Sequence, residues 1–338
     1  MKIEKLPSGS YRCRVEIGKD LNGKRKWKSI TGPDRNSVKR QAMEYQLRSS
    51  GAQSDTFGQA MEEYIAMRSS ALSPATIREY KRTKARIEAQ FPRFYHSALY
   101  SLEAKDLQDI VNALLRAGNA PKTVRDRLGV ISSVLRSKNV YLGKITLPQR
   151  DEKQILVPTE TEIKKIIDLS RGTVLEIPFM LAATAGLRRG EVCALTWKDI
   201  DFKKRTLIVS KDMVMGPDKE WHIKPPKTSA SRRIVVLPKE VCSRIKKLGE
   251  LPELTPTTLT HRVTKFMKAN GFPYHFHSLR HFCVSYMHGI GVPDAYIMQR
   301  CGFENDKCLK QIYRHTLADQ EKMYIEMTNK AMGFLGEM

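Results

Sequence analysis

The feature that most restricts how this chain can fold is a change of hydrophobic period along its length. Near the N-terminus apolar side chains alternate, with Tyr11, Cys13, Val15 and Ile17 on one strand face and Arg12, Arg14 and Glu16 on the other. Asn22-Gly23 makes a hairpin turn, a second strand runs from Lys24 to Ile30, and residues 34–48 carry a helical period. From Thr56 onward the period is helical, with patterns over 56–69, 74–90, 104–117 and 121–138. Ser73-Pro74 supplies an N-cap followed by a first-turn proline, and Pro121 opens the helix that contains Val124, Leu128, Ile131 and Leu135. Residues 146–159, TLPQRDEKQILVPT, sustain neither period and are rich in proline and charge, which marks a linker. Beyond it Thr159 caps a helix and residues 174–184 form another. LIVS and RIVVL read as strands between Thr206 and Leu237, and helices return from His261 to the end. The expected fold is α+β and multidomain: a small three-stranded sheet plus helix in 1–50, a helical bundle in 56–145, and a mixed, mainly helical domain with a small antiparallel sheet in 158–338.

Charge narrows the function. The 59 Lys and Arg against 36 Asp and Glu leave a formal charge of +23, which calls for a polyanionic partner. Residues 1–50 alone hold 13 basic against 5 acidic residues, and Arg12, Arg14, Lys24, Arg25 and Lys26 are candidate phosphate contacts there. On the 74–90 helix, Arg78, Lys81 and Arg82, followed by Lys84 and Arg86, suit a DNA backbone, although such a run also makes an ordinary solvated face. No uninterrupted apolar run approaches the roughly 20 residues of a membrane span. The N-terminus reaches charge, proline and glycine before an apolar signal core develops, so action in the cytosol is expected. Six cysteines show neither a C-x-x-C pair nor zinc-ligand spacing, and are read as reduced thiols with no metal site.

Four pieces carry chemistry. In TAGLRRGEVCALTWKDID, Arg188 sits at a helix start, where its guanidinium can fork onto phosphate oxygens, and Glu191 three residues later can orient it. In KPPKTSASRRIVVLP, Lys227 lies in a turn leading into an apolar strand, placed to donate a proton. In HFHSLRHFCVSYM, His277 and Arg280 put an imidazole and a guanidinium on one side of a helix. In MQRCGFENDKCLKQIYRHT, Tyr313 is flanked by Arg314 and His315, a cationic setting that favours the phenolate. Each piece alone has a plain structural explanation, such as a surface ion pair or a solvated lysine.

In this order the four resemble the catalytic domain of tyrosine recombinases of the phage-integrase type, whose pattern runs G-x-R-x-x-E, K-T-x-x-S-x-R, H-x-L-R-H and L-G-H followed by the tyrosine. The resemblance covers residues 158 to about 330, and residues 1–50 and 56–140 are similar to the arm-binding and core-binding domains of integrases. It implies that Arg188 and Arg280 hold the scissile phosphate and Lys227 protonates the leaving 5′ oxygen. His277 would assist proton transfer, Glu191 and His315 would support the site, and Tyr313 would attack to give a 3′-phosphotyrosyl link. Neither ATP nor a metal cofactor is implied, because the arginines and lysine supply the positive charge. The implied partners are double-stranded DNA at core and arm attachment sites, three further copies in a homo-tetramer on DNA, a directionality factor for excision and a host DNA-bending protein. The setting would be a bacterial host cell. The chain departs from the pattern at Cys301-Gly302-Phe303, where L-G-H is usual. Phe303 donates no hydrogen bond, and Arg300 and His315 are the nearest residues in sequence to replace it. Two alternatives follow: a catalytically impaired DNA-binding protein of the same fold, and an enzyme resembling type IB topoisomerases.

Overall fold

A computed structural model describes residues 2–19, 24–51, 55–150, 155–226, 229–306, 309–310, 312, 325 and 329. The Asn22-Gly23 turn and the tail beyond Tyr313, apart from positions 325 and 329, lie outside them. The chain divides into two units, residues 1–152 and 153–338.

The first unit opens with an antiparallel sheet of β1 (Ile3–Lys5), β2 (Tyr11–Lys19) and β3 (Arg25–Gly32), in that order, covered by α1 (Arg35–Gly51). Cys13 pairs with Ile30 across β2 and β3, and both join Val15, Val38 and Ala42 in a small core. The alternation read from the sequence is therefore the pleat itself: Cys13 and Val15 point inward while Arg14 is exposed.

Five helices follow: α2 (Phe57–Arg68), α3 (Pro74–Gln90), α4 (Pro92–Tyr95), α5 (Ala104–Arg116) and α6 (Pro121–Ser137). Their starts are encoded locally. Thr56 Oγ1 accepts from the Gln59 amide at 3.2 Å while the Gln59 side chain accepts from the Thr56 amide at 2.7 Å, a reciprocal cap. Leu107, Ile110, Val111 and Leu114 of α5 meet Val124, Leu128, Ile131 and Val134 of α6 in a core separate from that of the sheet. Burying each such side chain contributes about 1.5–3 kcal/mol. The expected linker is only partly free of structure-bearing contacts. The Thr146 amide donates to Gln108 Oε1 at 2.8 Å and Arg125 Nε donates to the Pro148 carbonyl at 2.8 Å, so its first residues lie against α5 and α6.

The second unit contains α7 (Glu160–Ser170), α8 (Glu176–Ala185), the short α9 (Arg189–Cys193), β4 (Ile200–Asp201), β5 (Thr206–Val209), β6 (Asp212–Met215), β7 (Trp221–Lys224), β8 (Arg233–Val236), α10 (Lys239–Leu248), α11 (Pro256–Ala269), α12 (Phe276–Gly289) and α13 (Asp294–Cys301). Strands β4, β5 and β8 form one antiparallel sheet and β6–β7 a separate hairpin. Helix α8 is buried nearly throughout, with Phe179 and Leu181 in a core that includes Leu207, Val235, Ile245, Leu259 and Leu279. Its buried Glu176 is held by Arg244 of α10 at 2.5 Å. The return of helix comes earlier than His261: α10 starts at Lys239, directly after β8, and α11 starts at Pro256, where Thr255 caps it by accepting from the Thr258 amide. That cap lies in a polar Thr-Pro-Thr-Thr run which periodicity alone does not register.

Candidate active site

Two tight turns bring the first and fourth motifs together. Gly186, in the left-handed conformation at φ 62°, ends α8, and two residues later Arg188 becomes the N-cap of α9. A Cβ at Gly186 would lie 2.6 Å from Cys301 Sγ, so α13 packs against the glycine itself. Gly302, at φ 70°, ends α13, and its carbonyl accepts from Arg188 Nη2 at 2.7 Å. Within α9 a Cβ at Gly190 would overlap Asp212 Oδ1, which seats the β6–β7 hairpin directly on the helix. We expect Gly186→Ala to cost about 2–4 kcal/mol, from the strained φ and the overpacking of Cys301. Denaturant unfolding checks this, and an unchanged midpoint would show that α13 can yield.

Arg188 and Glu191 meet as the sequence suggests, with Nη1 donating to Oε1 at 2.7 Å and the Arg188 amide to Oε2 at 2.9 Å. Arg188 Nη1 also donates to Ser231 Oγ at 3.2 Å. Glu191 is 2% exposed and Arg188 35%, so the acid is a buried anchor and the guanidinium reaches outward. Burial pushes the Glu191 carboxyl up, but Arg233, then Arg188, outweigh it and hold it below its ordinary value.

Arg280 is 1% exposed, and its Nη1 donates to the Gly186 carbonyl. Its Nε and Nη2 are buried and have no hydrogen-bond partner among the described residues, a costly state that an arriving acceptor relieves. Burial first, and Arg188 second, lower its pKa to about 10, which still leaves it charged at neutral pH. The Phe303 ring lies over this guanidinium, 4.5 Å from Cζ. Phe303 thus meets Arg280 through its π face.

His277 is solvent-accessible, yet its surroundings push its pKa down to about 3: loss of hydration comes first, then the nearby His281, Arg280, His275 and Arg188. Its ring stands edge-on to His281 at 4.6 Å. His277 is therefore neutral at pH 7, and a bound anion, by offsetting the cations, raises its proton affinity. His275 caps α12, its Nδ1 accepting from the Ser278 amide at 3.1 Å.

Arg188, Glu191, His277, Arg280 and Phe303 are thus assembled, whereas Lys227, Tyr313 and His315 lie outside the described residues. Arg300 is held elsewhere, donating to the carbonyls of Thr184 at 2.8 Å and Val236 at 3.1 Å. In the first unit Arg12 pairs with Glu4 at 2.6 Å, Arg25 with Glu16 at 3.6 Å, and Lys26 donates to the Ser101 carbonyl at 3.1 Å. Arg14, Lys24, Lys81 and Arg82 are exposed and Arg78 half-buried, with Arg82 3.3 Å from Glu79. Sequence reasoning missed Arg233, which is 3% exposed and forks onto both oxygens of Glu191. The one signal was the K-T-x-x-S-x-R pattern, which ends on Arg233; the strand itself gave none, because the exposed Ile234 and Val236 are as apolar as the buried Val235 and Leu237.

Residues 156–320 match the phage integrase family. The matched stretch covers most of the second unit. Beyond this integrase domain, the protein is 26% identical to a "Tyrosine recombinase XerC-like" of Caldanaerobacter subterraneus subsp. tengcongensis, over 94% of this chain and 95% of that one. It is 23% identical to the "ICEBs1 integrase" of Bacillus subtilis, over 98% and 99%. Among solved structures, the Tn1549 transposon integrase in complex with transposon right end DNA superposes at a TM-score of 0.68 and 17% identity, covering 81% of this chain and 99% of that one. A lambda integrase dimer bound to a COC′ core site gives 0.58 at 17% identity, covering 92% and 94%. At these identities the structural likeness is one of fold. It bears out the α+β architecture expected for this chain.

Proposed function

We propose that this tyrosine recombinase cleaves and rejoins double-stranded DNA through Tyr313, forming a 3′-phosphotyrosyl link and a free 5′-hydroxyl, to integrate and excise a mobile element. The observation that carries the proposal is the convergence of Arg188 and Arg280, fixed by the carbonyls of Gly302 and Gly186, with two Arg280 nitrogens unpartnered among the described residues. Two guanidiniums so placed suit the non-bridging oxygens of a phosphodiester and the charge that builds on them in the transition state. His277, neutral at rest, accepts a proton from the attacking phenol, and Lys227 donates one to the departing 5′ oxygen. The bond to tyrosine retains the phosphodiester energy, so a different 5′-hydroxyl can attack it and complete strand exchange.

Residues 1–50 take arm sites in this scheme and 56–145 take the core site, supported by the +23 charge and the exposed basic side chains of both segments. The similarity to integrases favours a homo-tetramer on DNA in a bacterial cytoplasm, with a directionality factor and a host DNA-bending protein as partners. The impaired-binder alternative is disfavoured, because Phe303 packs onto Arg280 and leaves the guanidinium in place.

A leaving-group experiment tests the chemistry. Lys227→Ala is expected to slow cleavage of an ordinary 5′-oxygen substrate by about 100-fold or more and that of a 5′-thio substrate by less than about 10-fold, since a thiolate needs little protonation. Equal slowing of both would remove Lys227 as the acid, and absence of strand cleavage in the parent protein would remove the function.

A further inference from the structure

We infer that Arg233 is a positioning residue that neutralises Glu191, so that the charge of Arg188 remains available to the phosphate. The inference rests on the assignment of Arg188 as a phosphate-binding group. Glu191 stands between two guanidiniums. Its Oε1 accepts from Arg188 Nη1 at 2.7 Å and from Arg233 Nη1 at 3.1 Å, and its Oε2 accepts from Arg233 Nη2 at 2.9 Å. Arg233 therefore makes the two-pronged contact and Arg188 a single side-chain one.

The remaining nitrogen of Arg233 is also committed. Nε donates to the Arg300 carbonyl at 2.8 Å and Nη1 also to the Ser231 carbonyl at 3.0 Å. With each of its three guanidinium nitrogens engaged and only 3% exposed, Arg233 is turned away from any substrate, whereas Arg188 is 35% exposed. The other carboxylate near α9, Asp212, is itself faced by Lys224 at 3.9 Å.

Charge accounting gives Arg233 its role. With both arginines present, one buried carboxylate leaves a net positive charge on the three groups. Without Arg233 the carboxylate cancels Arg188, and it does so where little water screens the pair. The same guanidinium also ties β8 to α9 and to the end of α13, which raises the opposing account that Arg233 only holds these elements together.

Two substitutions that break the same ion pair distinguish these accounts. A purely structural tie predicts similar losses for Arg233→Met and Glu191→Gln. The charge account predicts unequal losses, larger for Arg233→Met, because Arg233→Met leaves an unneutralised acid against Arg188 while Glu191→Gln leaves the cations free. The readout is single-turnover formation of the covalent adduct on a suicide DNA substrate by the full-length protein, with DNA binding and thermal unfolding measured alongside. Arg233→Met should lower the rate by about 100-fold or more, Glu191→Gln by less than about 10-fold, and the double variant should return to within about 10-fold of Glu191→Gln. Removing both charges together is commonly tolerated in a protein interior, so the double variant remains informative even where Arg233→Met does not fold.

Equal losses for the two single variants, or a double variant that is folded and as slow as Arg233→Met, would overturn the proposal. So would a double variant that folds but stays far slower than Glu191→Gln. Arg188→Gln separates this failure from failure of the phosphate assignment. If Arg188→Gln forms adduct at the parental rate, that assignment is wrong and the role of Arg233 falls with it. If Arg188→Gln is inactive and Arg233→Met is as fast as the parent, only the role of Arg233 is lost.

Discussion

Tyr313→Phe is expected to abolish covalent attachment to DNA while leaving DNA binding nearly intact. The change removes one oxygen, the atom assigned to attack phosphorus, and leaves the +23 charge that attracts the phosphate backbone untouched. A free tyrosine, with a pKa of about 10, is a poor nucleophile at neutral pH. Arg314 and His315 flank Tyr313 in sequence, a cationic setting of the kind that favours a phenolate. The measurement is a protein–DNA adduct that survives denaturation, compared with binding under native conditions. Tyr296 and Tyr324 are the tyrosines that a displaced motif alignment would choose. Tyr296 lies on α13 and is 50% exposed, so it is accessible enough to serve as a control. An adduct that persists in Tyr313→Phe and disappears in Tyr324→Phe would place the last motif wrongly.

The parts of the fold legible in the sequence are those fixed by interactions within a few residues. Thr56 with Gln59, Ser73 with Pro74, and Thr159 with Glu162 each start a helix using partners three residues away or fewer, and each helix stands where its signal lies. Strand β8 was legible for a similar reason, since RIVVL holds a short local run of β-branched and apolar residues. The contacts of the linker with Gln108 and Arg125 were not, because those partners lie 38 and 23 residues away and no local pattern marks them.

The candidate site divides in the same way. Arg188 and Glu191 are three residues apart at the start of one helix, so their ion pair could be read directly. Arg233 ends the K-T-x-x-S-x-R pattern but received no role, because it sits 42 residues from Glu191 in a chain with 59 basic residues, where one more arginine reads as solvated. Its burial becomes intelligible only when the β8 pleat turns it towards the acid. Phe303 is the mirror case. The sequence showed a hydrogen-bond donor replaced by a phenyl ring, and the structure shows that ring covering the Arg280 guanidinium. What the position loses in hydrogen bonding it regains in part as a cation–π contact that shields Arg280 from water.

That arrangement makes Arg280 the position where a like-charged replacement is least tolerated. We expect Arg280→Lys to lower single-turnover cleavage by about 100- to 1000-fold, the range for loss of one transition-state hydrogen-bond donor. A lysine preserves the positive charge, but its ammonium is a point donor without the planar fork. Arg280 anchors one nitrogen on the Gly186 carbonyl and presents two others, and its flat guanidinium lies beneath the Phe303 ring. A lysine reaching the same carbonyl has no second rigid arm for the phosphate, and a lysine reaching the phosphate leaves the carbonyl unpaired. Burial also penalises ammonium more than guanidinium, because the ammonium is the more strongly hydrated ion. DNA binding should change little, since Arg280 is one of 59 basic residues and is almost wholly buried. Cleavage rate and binding are therefore measured together on the same substrate. If Arg280→Lys cleaves within about threefold of the parent, charge alone suffices at this position, and the forked geometry from which the phosphate site was argued plays no part.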